Sequence, residues 1–136
     1  MPAKKKRSII AVDFDGTCVT HEYPEVGREI GATPILLDLL AHGHKLILFT
    51  MRSRKELDDA VKWFKERNIH LWGINNNPTQ RAWTVSPKVH AHLYIDDAGA
   101  CAPLIIPDQA DQEEDCRPYI DWEKLGQWLH EQGYLS

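Results

Sequence analysis

The sequence has no long apolar run. Among its 136 residues, no stretch approaches the roughly 18 consecutive apolar residues of a membrane-spanning helix. The first apolar stretch, residues 9–12, ends at Asp13. We therefore expect neither a transmembrane helix nor a signal peptide.

Cysteine is scarce as well. The sequence has 3 cysteines, Cys18, Cys101 and Cys116, and no two of them have the C-x-x-C spacing of a zinc motif. Because three is an odd number and the spacing shows no pattern, the cysteines also give no indication of a disulfide framework. We therefore expect a cytoplasmic protein in a reducing compartment.

Basic charge is scarce outside the first few residues. The formal net charge is −4, but four of the 16 basic residues lie together from Lys4 to Arg7. Residues 8–136 keep 12 basic and 20 acidic residues, a balance of −8. An acidic body repels a phosphate backbone, which argues against nucleic acid as a partner. We expect residues 1–7 to form a disordered basic tail.

The rest of the composition is that of an ordinary globular protein, and its pattern is that of alternating strands and helices. The chain is 43% hydrophobic, and its length fits one domain over residues 8–136. Short apolar runs predict strands over residues 8–12, 45–49, 69–74, 90–95 and 104–106. Amphipathic spacing predicts helices from Thr33 to before Gly43, from Ser53 to Asn68, and from about Trp122 to before Gly133.

This alternation implies right-handed crossovers and a parallel sheet covered on both faces. We predict a three-layer α/β/α, Rossmann-like fold with a central sheet of about five strands. Thr33 is expected to cap the first helix, with Pro34 at its first position. Ser53 and Glu56 have the spacing of a capping box for the second helix.

Polar side chains follow the predicted strands where each strand ends. Asp13 and Asp15 follow the first strand, Thr50 follows the second, and Asp96 and Asp97 follow the fourth. In open parallel sheets, ligands bind outside the carboxyl ends of the strands, so we expect these groups at one edge. A cluster of carboxylates offers the hard oxygen ligands that Mg²⁺ prefers, and the metal offsets their mutual repulsion.

Each feature also has an ordinary structural explanation. Asp-Gly is a common turn dipeptide, Thr50 can simply end a strand, Lys88 can be solvated, and residues 96–97 can form a turn. The combination favours function, because independent turns have no reason to put acid, hydroxyl and ammonium groups at the ends of successive strands.

Four short motifs follow one another in a recognisable order. A D-x-D-x-[TV] motif is matched by residues 13–17, and an acidic pair that closes a strand is matched by residues 96–97. Thr50 after an apolar strand matches a second motif, and Lys88 is the candidate for a third. Over residues 8–99, the sequence therefore resembles the haloacid dehalogenase-like (HAD) hydrolase superfamily.

The resemblance implies a mechanism and a metal site. It implies that Asp13 attacks phosphorus and becomes an aspartyl-phosphate, while Asp15 protonates the leaving oxygen and then activates water. It also implies that Mg²⁺ is held by Asp13, the backbone carbonyl of Asp15 and Asp96, with Asp97 as a further candidate ligand. Such a reaction depends on positioning and charge neutralisation more than on elaborate covalent machinery.

The same resemblance implies a phosphate-binding set and a reaction class. Phosphate oxygens would be held by Thr50 and the backbone amides that follow it, those of Met51 and Arg52. Lys88 would bind both the phosphate and the nucleophile. An Asp at position 15 indicates a phosphatase, a Mg²⁺-dependent phosphomonoester hydrolase, acting on an unidentified phosphorylated substrate such as a sugar phosphate. The alternatives are a catalytically silent phosphate-binding protein and a receiver-type phospho-accepting domain, although a receiver resembles a different motif order.

The family often inserts a cap domain, and neither interval between the motifs has room for one here. The resemblance therefore implies an open site, a small or bulky phosphorylated substrate, and homo-oligomerisation as a way to cover the site. Loop residues that could reach a substrate are His21, Arg28, Arg81 and Trp83.

Other polar and aromatic features are expected to be structural. Paired histidines without obvious partners are more often structural or solvated than zinc ligands, which applies to His42, His44, His90 and His92. Trp122 and Trp128 are expected to pack rather than to form a stacking platform. The acidic segment from Asp108 to Asp115 has no role that the sequence indicates.

Overall fold

The structure is a computed structural model that describes residues 6–107 and 117–136. The acidic segment from Asp108 to Asp115, Cys116 and most of the basic tail lie outside the described residues. The strands are β1 (Ile9–Val12), β2 (Lys45–Leu48), β3 (Gly73–Ile74), β4 (Leu93–Ile95), β5 (Leu104–Ile105) and β6 (Tyr119–Ile120). The helices are α1 (Ala32–Ala41), α2 (Arg54–Glu66) and α3 (Trp122–Glu131), with a short 3-10 turn at Gln80–Ala82.

The central sheet is parallel and has four strands in the order β3-β2-β1-β4. The prediction of a mixed α/β fold around a parallel sheet is therefore confirmed, but the prediction of a fifth strand in that sheet is wrong. β5 instead pairs antiparallel with β6, a strand that the sequence pattern did not predict. The amide of Ile120 in β6 donates to the carbonyl of Gly16 at 2.9 Å, which fixes this small sheet beside the turn that follows β1.

One face of the sheet carries the main core. Alternate residues of β1 and β2, among them Ile10 and Leu48, join a single cluster with buried residues of all three helices. Phe14, just beyond β1, packs edge-on against Trp63 of α2 with ring centroids 5.6 Å apart. Within the described residues, no helix is long and apolar enough to cross a membrane.

The opposite face of the sheet carries a smaller set of buried residues. Ala11 and Ile47 are buried but lie outside the main core cluster, as the alternation of a strand requires. Tyr94 pairs with Ala11, and its hydroxyl donates to the carbonyl of Val89 at 2.6 Å. Val89 belongs to the connection between β3 and β4, which has no α-helix in the part of the chain that is described.

The first residues of α1 and α2 differ from the predicted caps. Thr33 does not cap α1, because the carboxylate of Glu29 accepts the amides of Gly31 at 2.9 Å and Thr33 at 2.8 Å. The Thr33 hydroxyl is buried and has no partner within the described residues. Ser53 does precede α2, but its side chain makes no capping hydrogen bond, so the predicted capping box does not form.

The histidines and tryptophans have the structural roles that were predicted. His44 is buried, and its Nδ1 accepts from the Ser8 amide at 3.0 Å while its Nε2 lies 2.8 Å from the carbonyl of Tyr134. His92 accepts the next amide of the chain, that of Ile9, at 2.9 Å. The contacts of His44 and His92 attach the start of β1 to its neighbours. Trp122 lies in the core.

Candidate functional site

The carboxyl ends of β1 and β4 bring three carboxylates together. The amide of Asp13 donates to the carbonyl of Ile95 at 2.9 Å, which continues the strand pairing by one residue and sets Asp13 beside Asp96. Oxygen atoms of Asp13, Asp96 and Asp97 all lie within 4.8 Å of one another. The structure therefore brings together three of the side chains that were predicted to form the site.

Thr17 links two of these carboxylates. Its hydroxyl oxygen lies 3.1 Å from Asp13 Oδ2 and 3.3 Å from Asp97 Oδ1, and it accepts the Asp97 amide at 3.1 Å. A hydroxyl has a single proton to donate, so it can neutralise only part of the negative charge of the pair. The Trp122 indole donates to the Thr17 carbonyl at 2.7 Å and holds this turn against α3.

The three carboxylates repel one another when they are ionised. Burial, followed by the charge of Asp96, raises the pKa of Asp13 to about 8. Burial is also the main cause that raises the pKa of Asp96, and the Asp97 charge adds to it. Both shifts mean that the protein by itself disfavours the ionised form of these groups.

The donor set fits a magnesium ion. Hard oxygen ligands on a partly buried edge suit Mg²⁺, and a divalent cation would supply the positive charge that these side chains lack. Asp13, Asp96 and Asp97 would hold it. The carboxylate of Asp15 is turned to another partner, so only its backbone carbonyl remains for the predicted metal contact.

The raised pKa of Asp13 predicts how the stability of the metal-free protein depends on pH. The folded protein holds the Asp13 proton up to about pH 8, while the ordinary pKa is 3.8, so folding takes up a proton between these values. The stabilisation is complete below the lower value and is lost as pH rises through the higher one. In chelator, the thermal unfolding midpoint should therefore fall more steeply towards pH 8 for wild type than for Asp13→Asn. Parallel curves for the two proteins would contradict the assignment.

His21 orients Asp97, a contact that the sequence did not predict. Its Nε2 lies 3.0 Å from Asp97 Oδ2, and both side chains are largely buried. Gly16 makes room for this pair, because a Cβ on Gly16 would lie 2.1 Å from His21 Nε2 and 2.5 Å from Asp97 Oδ2. The Asp-Gly dipeptide is thus more than a flexible turn, since a side chain at position 16 would displace the pair.

Asp15 is held by Arg52. Its two carboxylate oxygens accept from Arg52 Nη2 at 2.7 Å and Nε at 2.8 Å, a bidentate pair with a guanidinium that is almost completely buried. The remaining donors of Arg52 reach three backbone carbonyls, those of Pro24, Glu25 and Glu56. The described structure therefore does not support a phosphate-binding role for the Arg52 side chain, since every one of its donor nitrogens is already committed within the protein.

The turn after β2 has a partner that the sequence analysis missed. Asn75 Oδ1 accepts the Thr50 amide at 2.8 Å, and the Thr50 hydroxyl accepts the Arg52 amide at 3.1 Å. Met51 between them is 98% exposed. Asn75 has a φ of 50°, which asparagine tolerates better than most residues. Three successive asparagines after a predicted strand were the available signal for this contact.

Lys88 lies near Tyr94, on the same face of the sheet. Its ammonium is 5.8 Å from the centroid of the Tyr94 ring, and that ring in turn lies 6.3 Å from the ring of Phe49 at the end of β2. Among residues 6–107 and 117–136, no carboxylate lies within 4.0 Å of the ammonium. A role for Lys88 in phosphate binding stays a prediction.

The remaining loop residues that were predicted to reach a substrate are Arg28, Arg81 and Trp83. Arg28 lies in the loop before α1, and the other two lie in the connection between β3 and β4. The backbone of Arg28 pairs with Thr20 and closes the loop that carries His21. Trp83 is 65% exposed and meets the His90 ring edge-on. Arg81 is exposed and lines an open cavity formed by the connection between β3 and β4.

Comparisons with known proteins give a relative among the solved structures. No protein-family model matches the chain, and no curated protein matches it. The chain is similar to the solved structure of a conserved protein from Bacteroides thetaiotaomicron, with 33% identity and a TM-score of 0.66. The match covers 81% of this chain and 94% of that chain. The chain belongs to the family of this conserved protein. The description of that relative names no activity, so the site carries the functional argument.

Proposed function

We propose that the protein is a Mg²⁺-dependent phosphomonoester hydrolase that works through an aspartyl-phosphate on Asp13. The proposal includes the HAD-like, Rossmann-like form of the α/β fold that the sequence motifs imply. The observation that carries it is the convergence of Asp13, Asp96 and Asp97 within 4.8 Å at the carboxyl edge of the sheet. This is where open α/β sheets bind ligands.

The proposed chemistry uses two aspartates in the roles that the sequence resemblance implies. In the first step a carboxylate oxygen of Asp13 attacks phosphorus, the bond from phosphorus to the leaving oxygen breaks, and Asp15 supplies the proton to that oxygen. In the second step Asp15 takes a proton from water, the water attacks phosphorus, and inorganic phosphate leaves with the Asp13 carboxylate restored. When bound, Mg²⁺ would supply positive charge that offsets the repulsion between carboxylate and phosphate.

The Arg52 contact is compatible with both roles of Asp15. Each oxygen of Asp15 keeps a second lone pair while it accepts from Arg52. A proton held on that lone pair can pass to the leaving oxygen in the first step, and the same lone pair can take a proton from water in the second.

The same contact favours a second candidate function. If Arg52 keeps Asp15 from exchanging protons, the protein binds phosphate at this edge and does not turn it over.

The free cysteines of the described chain, Cys18 and Cys101, are consistent with the reducing, cytoplasmic setting that we propose. A bulky phosphorylated substrate and a homo-oligomer belong to the proposal as consequences of a site without a cap.

Turnover with controlled metal separates these candidates. We expect the purified, metal-stripped protein to hydrolyse para-nitrophenyl phosphate only after Mg²⁺ is added, and Ca²⁺ to substitute poorly because its looser shell misplaces the nucleophile. Release of nitrophenol is the measurement, with Asp58→Asn on the exposed side of α2 as a matched control. Full activity in chelator would contradict the metal requirement, and phosphate binding without turnover would favour the silent protein.

A further inference from the structure

A cavity lined by both polar and apolar side chains adjoins the proposed phosphate site. The connection between β3 and β4 forms this cavity, which is open to solvent and has a volume of about 450 Å³. Asn75 lines it and also binds the Thr50 amide through its Oδ1 atom at 2.8 Å. One strand separates β3 from β1, so at a strand spacing of about 4.8 Å the cavity begins about 10 Å from Asp13. A leaving group of moderate length, attached to a phosphate at Asp13, reaches that far.

Two buried amide side chains fix the walls of this cavity. Asn77 is 2% exposed, and its side chain donates to the His90 carbonyl at 2.9 Å. Gln80 is 7% exposed, donates to the Lys88 carbonyl at 2.6 Å and accepts the His90 amide at 2.7 Å. These amides satisfy the backbone of the loop, so the cavity is formed before any ligand arrives.

The groups that remain for a ligand are mainly hydrogen-bond donors. The Thr84 hydroxyl accepts the Ser86 amide at 3.2 Å, and the Ser86 hydroxyl accepts the Lys88 amide at 3.3 Å, so both hydroxyl protons are left to donate. The Asn75 oxygen is already used by Thr50, which leaves its NH₂ group. The Arg81 guanidinium is a donor only. No Asp or Glu is among the described residues that line the cavity.

We propose that this cavity binds an anionic group on the leaving group of the substrate, a carboxylate or a second phosphate, with Arg81 as its charged partner. The inference rests on the proposed function, because it takes Asp13 as the position of the reacting phosphate. Residues 8–136 carry a balance of −8, so an anion is repelled except where local positive charge and donors converge. Arginine suits both anions, because its fork of donors matches carboxylate and phosphate oxygens.

Binding of matched phosphonates tests the inference without turnover. The probes are para-(phosphonomethyl)benzoate and its neutral amide, para-(phosphonomethyl)benzamide, titrated calorimetrically in Mg²⁺. We expect the acid to bind about 10-fold more tightly, or about 1.4 kcal/mol. Arg81→Gln should remove this preference and leave the affinity for the amide unchanged. Lys62→Gln, which removes the same charge from an exposed position on α2, should keep it.

The outcomes separate the cavity from the reaction. Equal affinity for the two probes in wild type, including no measurable binding of either, overturns the inference, and so does a preference that survives in Arg81→Gln. A para-xylylene diphosphonate arm shows which anion the cavity prefers, and tighter binding of either anion than of the amide supports it. An Arg81-dependent preference without Mg²⁺-dependent hydrolysis refutes the proposed function but supports anion binding in the cavity. Hydrolysis without the preference supports the proposed function but refutes anion binding in the cavity.

Discussion

Asp13→Asn should reduce turnover of para-nitrophenyl phosphate by at least about 10³-fold, which corresponds to about 4 kcal/mol of activation free energy. An amide is a poor nucleophile towards phosphorus, and it also removes one carboxylate from the predicted Mg²⁺ site. The measurement is kcat for the purified variant at saturating Mg²⁺, where weakened metal binding no longer limits the rate.

The stability of this variant provides the control. Since burial and Asp96 raise the pKa of Asp13 to about 8, an uncharged Asn at this position removes a repulsion above that pH. Metal-free Asp13→Asn should therefore unfold at a denaturant concentration no lower than wild type at high pH. Loss of activity with full stability identifies a chemical role, while near wild-type turnover would exclude Asp13 as the nucleophile.

Arg52→Met should cost about 3 kcal/mol of unfolding free energy. The change leaves Asp15 without its bidentate partner and leaves the carbonyls of Pro24, Glu25 and Glu56 without their donors. Removing one member of a buried ion pair typically costs about 3–5 kcal/mol, and the partial exposure of Asp15 places this pair at the lower end. Urea unfolding at neutral pH is the measurement.

Two further variants show whether this cost belongs to the pair. Lys62→Met breaks an exposed contact of 3.9 Å with Glu66 and should change the unfolding free energy by less than about 1 kcal/mol. In a double-mutant cycle, Asp15→Asn and Arg52→Met should be strongly non-additive, because each removes the same interaction. Additive effects, or a loss below about 1 kcal/mol for Arg52→Met, would show that this pair does not hold the loop.

The carboxyl edge could be predicted because it depends only on local patterns and on chain handedness. The apolar runs over residues 8–12, 45–49 and 90–95 predict three strands, and right-handed crossovers align their ends. Asp13 and Asp96 follow those ends directly, so their meeting needed no knowledge of side-chain direction. The apolar run over residues 104–106 predicted β5, but the two-residue strand β6 has no periodicity to detect. Its position depends on the Ile120 contact with Gly16.

The contacts that orient the site could not be predicted, because they join distant positions through side-chain direction. Asp15 and Arg52 are 37 positions apart, and His21 and Asp97 are 76 apart. The motif resemblance placed Arg52 in the phosphate-binding set, but its side chain is buried beneath the loop and binds Asp15. Likewise, the capping of α1 by Glu29 depends on how that loop returns to the helix.

The location of a covalently bound phosphoryl group tests the central claim most directly. Wild-type protein is mixed with Mg²⁺ and para-nitrophenyl phosphate, quenched in acid while nitrophenol is still being released, and its peptides are analysed by mass spectrometry. The account predicts a phosphoryl group on Asp13 that is absent without Mg²⁺ and absent from Asp13→Asn. A phosphoryl group on another residue, or unlabelled protein during active release, would contradict it.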